Sequence, residues 1–175
     1  MKEVEITTAR LLLRTVRPGD AAAYYGCRSL PQVRRYQGCP KSLAEARSRL
    51  AACAALKPNT PQTWYQFAVL EKSGGAYMGD IAVHFTDGRQ AELGYTLAPK
   101  FQGRGFATEG ARAVLAWLLG KLKLHRVVCT ADPRNKPSLA VMRRLGMRRE
   151  GYFKKSFWTG KEWADDVLYA VLGKR

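Results

Sequence analysis

Residues 101–119 read FQGRGFATEGARAVLAWLL, with Gly103, Gly105 and the small Ala107 set around Arg104 immediately before an apolar run. Ala107, Ala111, Val114, Leu115, Leu118 and Leu122 fall at spacings of three and four, which predicts a helix to about Lys121. Glycine before a helix is often only a turn. A turn of small residues at that place also exposes backbone N–H groups at the positive end of the helix dipole with no β-carbons in the way, a combination that binds phosphate or pyrophosphate. Three motifs share this logic. A P-loop needs GxxxxGK[ST], and no Lys follows the second glycine here. A dinucleotide fold wants GxGxxG or GxGxxA directly after a strand. Here Thr108 stands where the third small residue belongs, and Pro99 to Gln102 separate the strand from the turn. The third pattern, Gln-x-x-Gly-x-Ala, is satisfied by Gln102, Gly105 and Ala107.

Working outward, the flanking segments change period from helical to strand-like and back. ARLLLRTV (9–16) reads as a first strand, and Asp20 after a Pro-Gly turn is the expected N-cap of a helix through AAAYYGCRSL that Pro31 interrupts. Ser42 and Glu45 form a capping box for a second helix to about Leu56. WYQFAVLEK (64–72), YMGDIAVHF (77–85) and QAELGYTL (90–97), joined by Ser-Gly-Gly and Asp-Gly turns, read as a three-strand meander. HRVVCTAD (125–132) is a buried strand, Pro137 and Gly146 bracket a short helix, and 152–159 with 162–172 form a closing hairpin. The order is that of an α/β domain on one mixed sheet of about seven strands and four helices, spanning residues 1–175 as a single unit.

Composition agrees with one self-sufficient core: 175 residues, 46 % hydrophobic and 25 % charged. The four cysteines (Cys27, Cys39, Cys53, Cys129) show no paired CxxC spacing and only His84 and His125 could join them, so no metal site is expected. Cys129, in the apolar run RVVCTA, reads as a small buried thiol rather than a nucleophile. No apolar run is long enough to span a membrane, and MKEVEITTARLLLR carries charges where a signal peptide has its apolar segment. The expectation is a soluble, cytoplasmic protein with no membrane partner. Thirty Lys and Arg against 14 Asp and Glu leave a formal charge of +16, a field that attracts anions, with ribosome association among the partners it suits.

With these segments in place, the chain resembles the GNAT superfamily of acetyl-coenzyme A dependent N-acetyltransferases over essentially its whole length. ELGYTLAPKFQGRGFATEGARAVLAWLL is similar to the family's fourth strand, pyrophosphate loop and following helix, and NKPSLAVMRRLGMRREGYF to its Asn-x-x-Ser helix. TARLLLR and GKEWADDVLYAVL look like the branch that includes the RimJ and RimL type ribosomal-protein N-terminal acetyltransferases. The resemblance implies a mixed, mostly antiparallel sheet that splays open, with acetyl-coenzyme A as cosubstrate. Amides of Gln102, Gly103, Arg104, Gly105, Phe106, Ala107 and Thr108 would hold its pyrophosphate, main chain at Tyr95, Thr96 and Leu97 would pair with the pantetheine arm, and Asn135 would bond to that arm. An N–H near Leu97 would meet the thioester carbonyl. Arg104 either adds charge to the phosphate site or is a solvent-exposed arginine whose backbone alone matters.

Acetyl transfer needs a neutral amine and a proton for the departing thiolate. An α-amino group, with pKa near 8, needs less help than a lysine amine near 10.4. By resemblance Glu92 is the base, acting directly or through water. The alternative is a structural carboxylate, with Asp80 and His84 on the neighbouring strand as lesser candidates. Many relatives use a tyrosine seven residues after the Asn as acid. Here that position is Met142, which leaves Ser138 or a water as proton donor. Trp158 near the hairpin turn is a candidate lining of the acceptor cleft, the remaining aromatics of the tail read as packing, and Asp165 and Asp166 are candidate contacts to the amine.

Two functions follow. One is direct acetyl transfer to a primary amine, on a protein N-terminus or a small molecule such as a polyamine, by a monomer or homodimer. The other is a non-catalytic coenzyme-binding or ribosome- or RNA-associated module, to which Met142 and the excess charge point. The positive charge disfavours a polycationic acceptor.

Overall fold

Burial alternates along Leu11–Thr15 and runs unbroken through the middle of Thr63–Glu71 and Tyr77–Phe85, which marks the centre of the sheet. In a computed structural model that describes residues 3–173, Leu11, Leu13 and Thr15 point inward along β2 (Leu11–Thr15) while Leu12 and Arg14 do not. The meander follows as β3 (Thr63–Glu71), β4 (Tyr77–Phe85) and β5 (Gln90–Leu97), all antiparallel. β6 (Arg126–Ala131) then joins β5 in parallel, because helix α4 (Phe106–Ala116) carries the chain back across the sheet between them. The hairpin of β7 (Arg148–Trp158) and β8 (Trp163–Leu172) closes it through β8. The order is β1-β2-β3-β4-β5-β6-β8-β7.

The sheet has eight strands because β1 (Glu5–Thr7), three residues with a charged end, pairs with β2 and is too short to show a period. Among the described residues there are five α-helices because Pro31 both ends α1 (Ala21–Ser29) and opens α2 (Pro31–Arg34), where its missing N–H is no loss. α3 (Leu43–Ala55) starts where Ser42 Oγ accepts the Glu45 N–H at 3.1 Å. α4 continues through a π-type turn, Trp117–Lys121, in which the Leu122 N–H reaches Trp117 O at 3.0 Å, and α5 is Lys136–Arg144. The one-domain expectation extends to residues 1, 2, 174 and 175, which lie outside the described residues. Among the described residues no helix is long and apolar enough to cross a membrane.

Each face of the sheet has its own core. α4 and α5 cover Leu11, Leu13, Phe67, Ile81, Leu93, Val127 and Cys129, whereas α1 and α3 cover Ala68 with Tyr24, Ala46 and Leu50. Cys129 is fully buried, as expected of a packed thiol. Two sequence expectations are corrected. Asp20 makes no side-chain cap to α1; its carboxylate instead accepts the Arg17 N–H at 2.7 Å and both terminal nitrogens of Arg14 at 2.7 and 2.8 Å, because a 3₁₀ turn (Pro18–Asp20) precedes the helix. Of the tail aromatics only Tyr169 is core, while Trp158 and Trp163 meet each other across the hairpin at 5.5 Å. Tyr152, Phe153, Phe157, Trp158 and Trp163 are about half exposed and only Tyr169 is buried, since β7 is an edge strand with no helix beyond it.

Two buried features set the geometry near the middle of the sheet. At Gly79 a β-carbon would stand 2.0 Å from Thr96 O, so only glycine lets β4 close on β5 there, beside an irregularity in the β3–β4 register. One residue on, fully buried Asp80 accepts Arg28 Nη2 at 2.6 Å, Arg28 Nε at 3.2 Å and Gln66 Nε2 at 2.8 Å, while Arg28 Nη1 also donates to Gly38 O at 3.1 Å. Burial opposes the Arg28 charge, but Asp80 more than compensates and keeps it protonated.

Gly79→Ala should cost about 3 kcal/mol, lowering the melting temperature by roughly 6–12 °C; a shift under 2 °C in calorimetry would mean β4 and β5 do not meet this closely. Asp80→Asn, which leaves the Arg28 charge buried without its partner, should lose about 3 kcal/mol in urea titration. Joint replacement by Arg28→Met and Asp80→Leu should recover most of that loss, and equal losses in the two variants would refute an electrostatic origin.

Candidate active site

A parallel register of three residues, Gln90 to Glu92 against Arg126 to Val128, is all that joins β5 to β6. Beyond Glu92 and Val128 the strands part. β5 keeps its pairing to β4 as far as Leu97, so its other edge from Gly94 onward faces a cleft rather than a strand. The cleft encloses about 390 Å³ and runs from Tyr95, Thr96 and Leu97 to Gly103, Gly105, Phe106, Ala107 and Thr108, with Asn135, Ser138 and Val141 of α5 opposite. A second hollow of about 460 Å³, between Thr15, Arg17, Lys57 and Tyr65, lies away from every predicted site residue.

The glycine turn occupies the head of the cleft. Gly103 and Gly105 have φ of +73° and +81°, and Gly105 is the N-cap of α4. The first α4 amide with an acceptor is that of Glu109, to Gly105 O at 3.0 Å. Among the described residues the amides of 103–108 have no protein acceptor, so their N–H groups collect at the dipole's positive end as an anion cradle. Gln102 differs: its N–H is taken by Pro99 O at 3.1 Å, and its side chain donates to Leu97 O at 2.8 Å, tying the loop to the end of β5. Arg104 is exposed, does not line the cleft, and lies 5.0 Å over the Phe106 ring. Thr96, 5 % exposed, lines the cleft, and its buried hydroxyl has no partner among the described residues. An unpaired hydroxyl beside a glycine cradle fits a long, polar, phosphate-headed ligand with hydrogen-bonding groups along its arm.

Glu92 stands at the crotch of the parted strands, on the sheet face that also carries His84 opposite it on β4. Its carboxylate accepts the Thr130 hydroxyl at 2.8 Å, which orients it without neutralising it. His84 stacks on Trp64 at 4.8 Å, and Asp80 is consumed by Arg28 and Gln66, so neither resembles a poised base. Asp166 lies on the same face. Its pKa is raised by burial first, and also by the charges of Glu92 and Asp132. Asp165 turns to the other face, where Tyr152 Oη and the Lys155 N–H at 2.9 Å occupy it. A chain of net charge +16 thus places Glu92 and Asp166 on one face of the sheet, Glu92 at the last residue pair that joins β5 to β6.

Across the cleft, Asn135 Oδ1 accepts the Ser138 N–H at 3.3 Å and caps α5. Met142 is buried in the core. In its stead the sheet supplies a phenol: Tyr95 Oη lies 3.0 Å from both Ser138 Oγ and Ser138 O. Burial pushes the Tyr95 pKa well above that of a free phenol, so the pair holds its protons at neutral pH. The Cys129 thiol is likewise raised by burial and unfit as a thiolate nucleophile. Reading the sequence assigned Tyr95 through its main chain only; the phenol–serine contact spans 43 residues and has no local signal. It also missed Gln32, Val33, Tyr36 and Gln37, which line the cleft from α2 and the turn after it. Arg28 holds that segment through Gly38 O.

Comparison with known proteins agrees with this geometry. The sequence profile of the Acetyltransferase (GNAT) domain matches residues 10–148. The Bacillus subtilis protein named uncharacterized N-acetyltransferase YnaD is 34 % identical over 170 residues, covering 97 % of each chain. The Escherichia coli [ribosomal protein uS5]-alanine N-acetyltransferase is 34 % identical over 79 residues, 45 % of this chain and 41 % of that one. Among solved structures, a GNAT-family acetyltransferase from Bacillus anthracis superposes with a TM-score of 0.87 at 32 % identity, covering 98 % of this chain and 100 % of the other. The chain therefore belongs to the GNAT acetyltransferase family, enzymes that transfer an acetyl group to an amine nitrogen.

Proposed function

We propose that this protein acetylates the α-amino group of a peptide or protein N-terminus, taking the acetyl group from acetyl-coenzyme A in a direct transfer. The observation that carries the reading is the parting of β5 from β6 after Glu92, with unpaired loop amides at one end and a carboxylate at the crotch. Amides of Gly103 to Thr108 and the dipole of α4 would bind the diphosphate, and the β5 edge with Thr96 Oγ1 and Asn135 would hold the pantetheine arm. The coenzyme supplies the acetyl group activated as a thioester. Glu92, held by Thr130, takes the proton of the incoming amine, directly or through one water. Ser138 Oγ, oriented by Tyr95 Oη, donates a hydrogen bond to the departing sulfur, which leaves as a thiolate and takes its proton from solvent. A leaving thiol with pKa around 8.5 asks little of its donor.

An α-amine, about a tenth neutral at pH 7, asks less of a base than a lysine amine does. Asp166 beside Glu92 favours the arrival of the protonated amine, and the outer charge of +16 favours acceptors carried on acidic or RNA-bound assemblies such as the ribosome. The uS5-alanine acetyltransferase similarity points to the same substrate class.

Thiol release from acetyl-coenzyme A should be stimulated by peptides with a free N-terminus well above spermidine or an aminoglycoside. Stimulation by none of them would sink the reading. Glu92→Gln should lower kcat/KM by about 10²-fold at pH 7, with the deficit shrinking toward pH 9 as the amine loses its proton unaided. Retention of half the activity at pH 7 would remove Glu92 from the mechanism. Ser138→Ala should lose about tenfold in kcat and leave the KM of the peptide within a factor of two.

A further inference from the structure

The turn Thr8–Arg10 between β1 and β2 lies about a hundred residues from the glycine loop in sequence, yet four hydrogen bonds tie it to Glu109 in the first turn of α4 and to Arg104 O of the loop. Thr8 Oγ1 donates to Glu109 Oε1 at 2.6 Å and the Arg10 N–H to the same oxygen at 3.0 Å. Arg10 Nε and Nη2 donate to Oε2 at 2.7 and 2.6 Å. The turn is itself stiffened, since Thr8 Oγ1 also accepts the Leu11 N–H at 2.9 Å. The remaining arm of the guanidinium, Nη1, donates to Arg104 O at 3.1 Å, and its carbon sits 4.3 Å over the buried Phe106 ring.

We infer that Arg10 is a positioning residue for coenzyme binding: it sets the orientation of the Arg104–Gly105 peptide and neutralises Glu109, and so makes the loop a receptor for the diphosphate. This rests on the coenzyme site proposed above. A trans peptide is planar, with its C=O and the following N–H directed oppositely. Drawing Arg104 O toward Arg10 therefore turns the Gly105 N–H away from Arg10, and Gly105 lines the cleft. A glycine at φ +81° has little intrinsic preference for this orientation over others, so an external tether selects it. The second effect is electrostatic. Glu109 lies in the first turn of α4, where a free carboxylate would repel an incoming diphosphate. Burial opposes its charge, but the bonds from Thr8 and Arg10 outweigh burial and hold its pKa below the usual range, so it is ionised and needs a counter-charge. The forked guanidinium supplies that charge and the carbonyl tether at once; a lysine, with a single nitrogen, cannot reach both.

The test is calorimetric titration of the full-length protein with coenzyme A, beside steady-state kinetics with a peptide acceptor. Arg10→Ala should weaken coenzyme A binding at least tenfold and raise the KM for acetyl-coenzyme A in proportion, with kcat reduced less than threefold and the peptide KM unchanged. Arg10→Lys, which keeps the charge and the aliphatic stem and serves where the alanine variant does not fold, should remain at least fivefold weaker than wild type. Adding Glu109→Gln to either variant should recover part of the loss. Binding within twofold of wild type in the alanine variant, full restoration by lysine, or a loss confined to kcat would each overturn the inference. Failure of the wild-type protein to bind coenzyme A would overturn the proposed function and this inference with it, whereas equal binding by wild type and variant defeats the inference alone.

Discussion

The separation of β5 from β6 after three paired residues is the constraint on which the rest of the molecule is organised. A strand edge left without a partner inside a sheet is costly unless its N–H and C=O groups meet something else. The chain tolerates the opening because both walls are anchored elsewhere: β5 to β4 along its full length, with Gly79 allowing the close approach, and β6 to β8 over six residues. α4 and α5 then pack on one side and α1 and α3 on the other, so the core strands beside the cleft are covered on both faces. One wall gives hydrogen-bonding main chain and the helix start gives positive dipole. The crotch gives a carboxylate.

Charge is distributed against the average of the surface. The protein as a whole is strongly basic, yet Glu92, Asp132 and Asp166 gather where β6 and β8 flank the opening. The interior follows the same economy. Asp80 and Arg28 are buried as a hydrogen-bonded pair that reaches Gly38 O, so a cleft-lining segment with little apolar anchorage is held by a salt bridge to β4.

Much of this was legible in order along the chain. The meander, the Ser42 cap and the glycine turn before α4 are local: their signals are two- and four-residue periods, turn residues and caps, and each appeared where those signals placed it, although Glu45 reaches back to the Lys41 N–H rather than to that of Ser42. β1 was invisible because three residues cannot display a period, and α2 because Pro31 reads equally as a stop and as a start. The Asp20 cap failed since an aspartate can satisfy an arginine and a turn amide as readily as a helix start. The exposed aromatics of β7 ran against composition, because an edge strand has nothing to pack on its outer side.

The sequence by itself determined the fold class and the glycine turn, because backbone conformation and helix dipoles depend on residues adjacent in the chain, and its resemblance to the family supplied the candidates Glu92 and Ser138. The tertiary structure alone decided which groups those candidates would meet: Thr130 for Glu92, the Tyr95 phenol for Ser138 in place of the helix tyrosine that Met142 replaces, and Arg10 with Glu109 behind the loop. Those contacts join residues from 38 to 99 positions apart. No local periodicity encodes such a distance; it is set by strand order and by how closely two strands and a helix can approach.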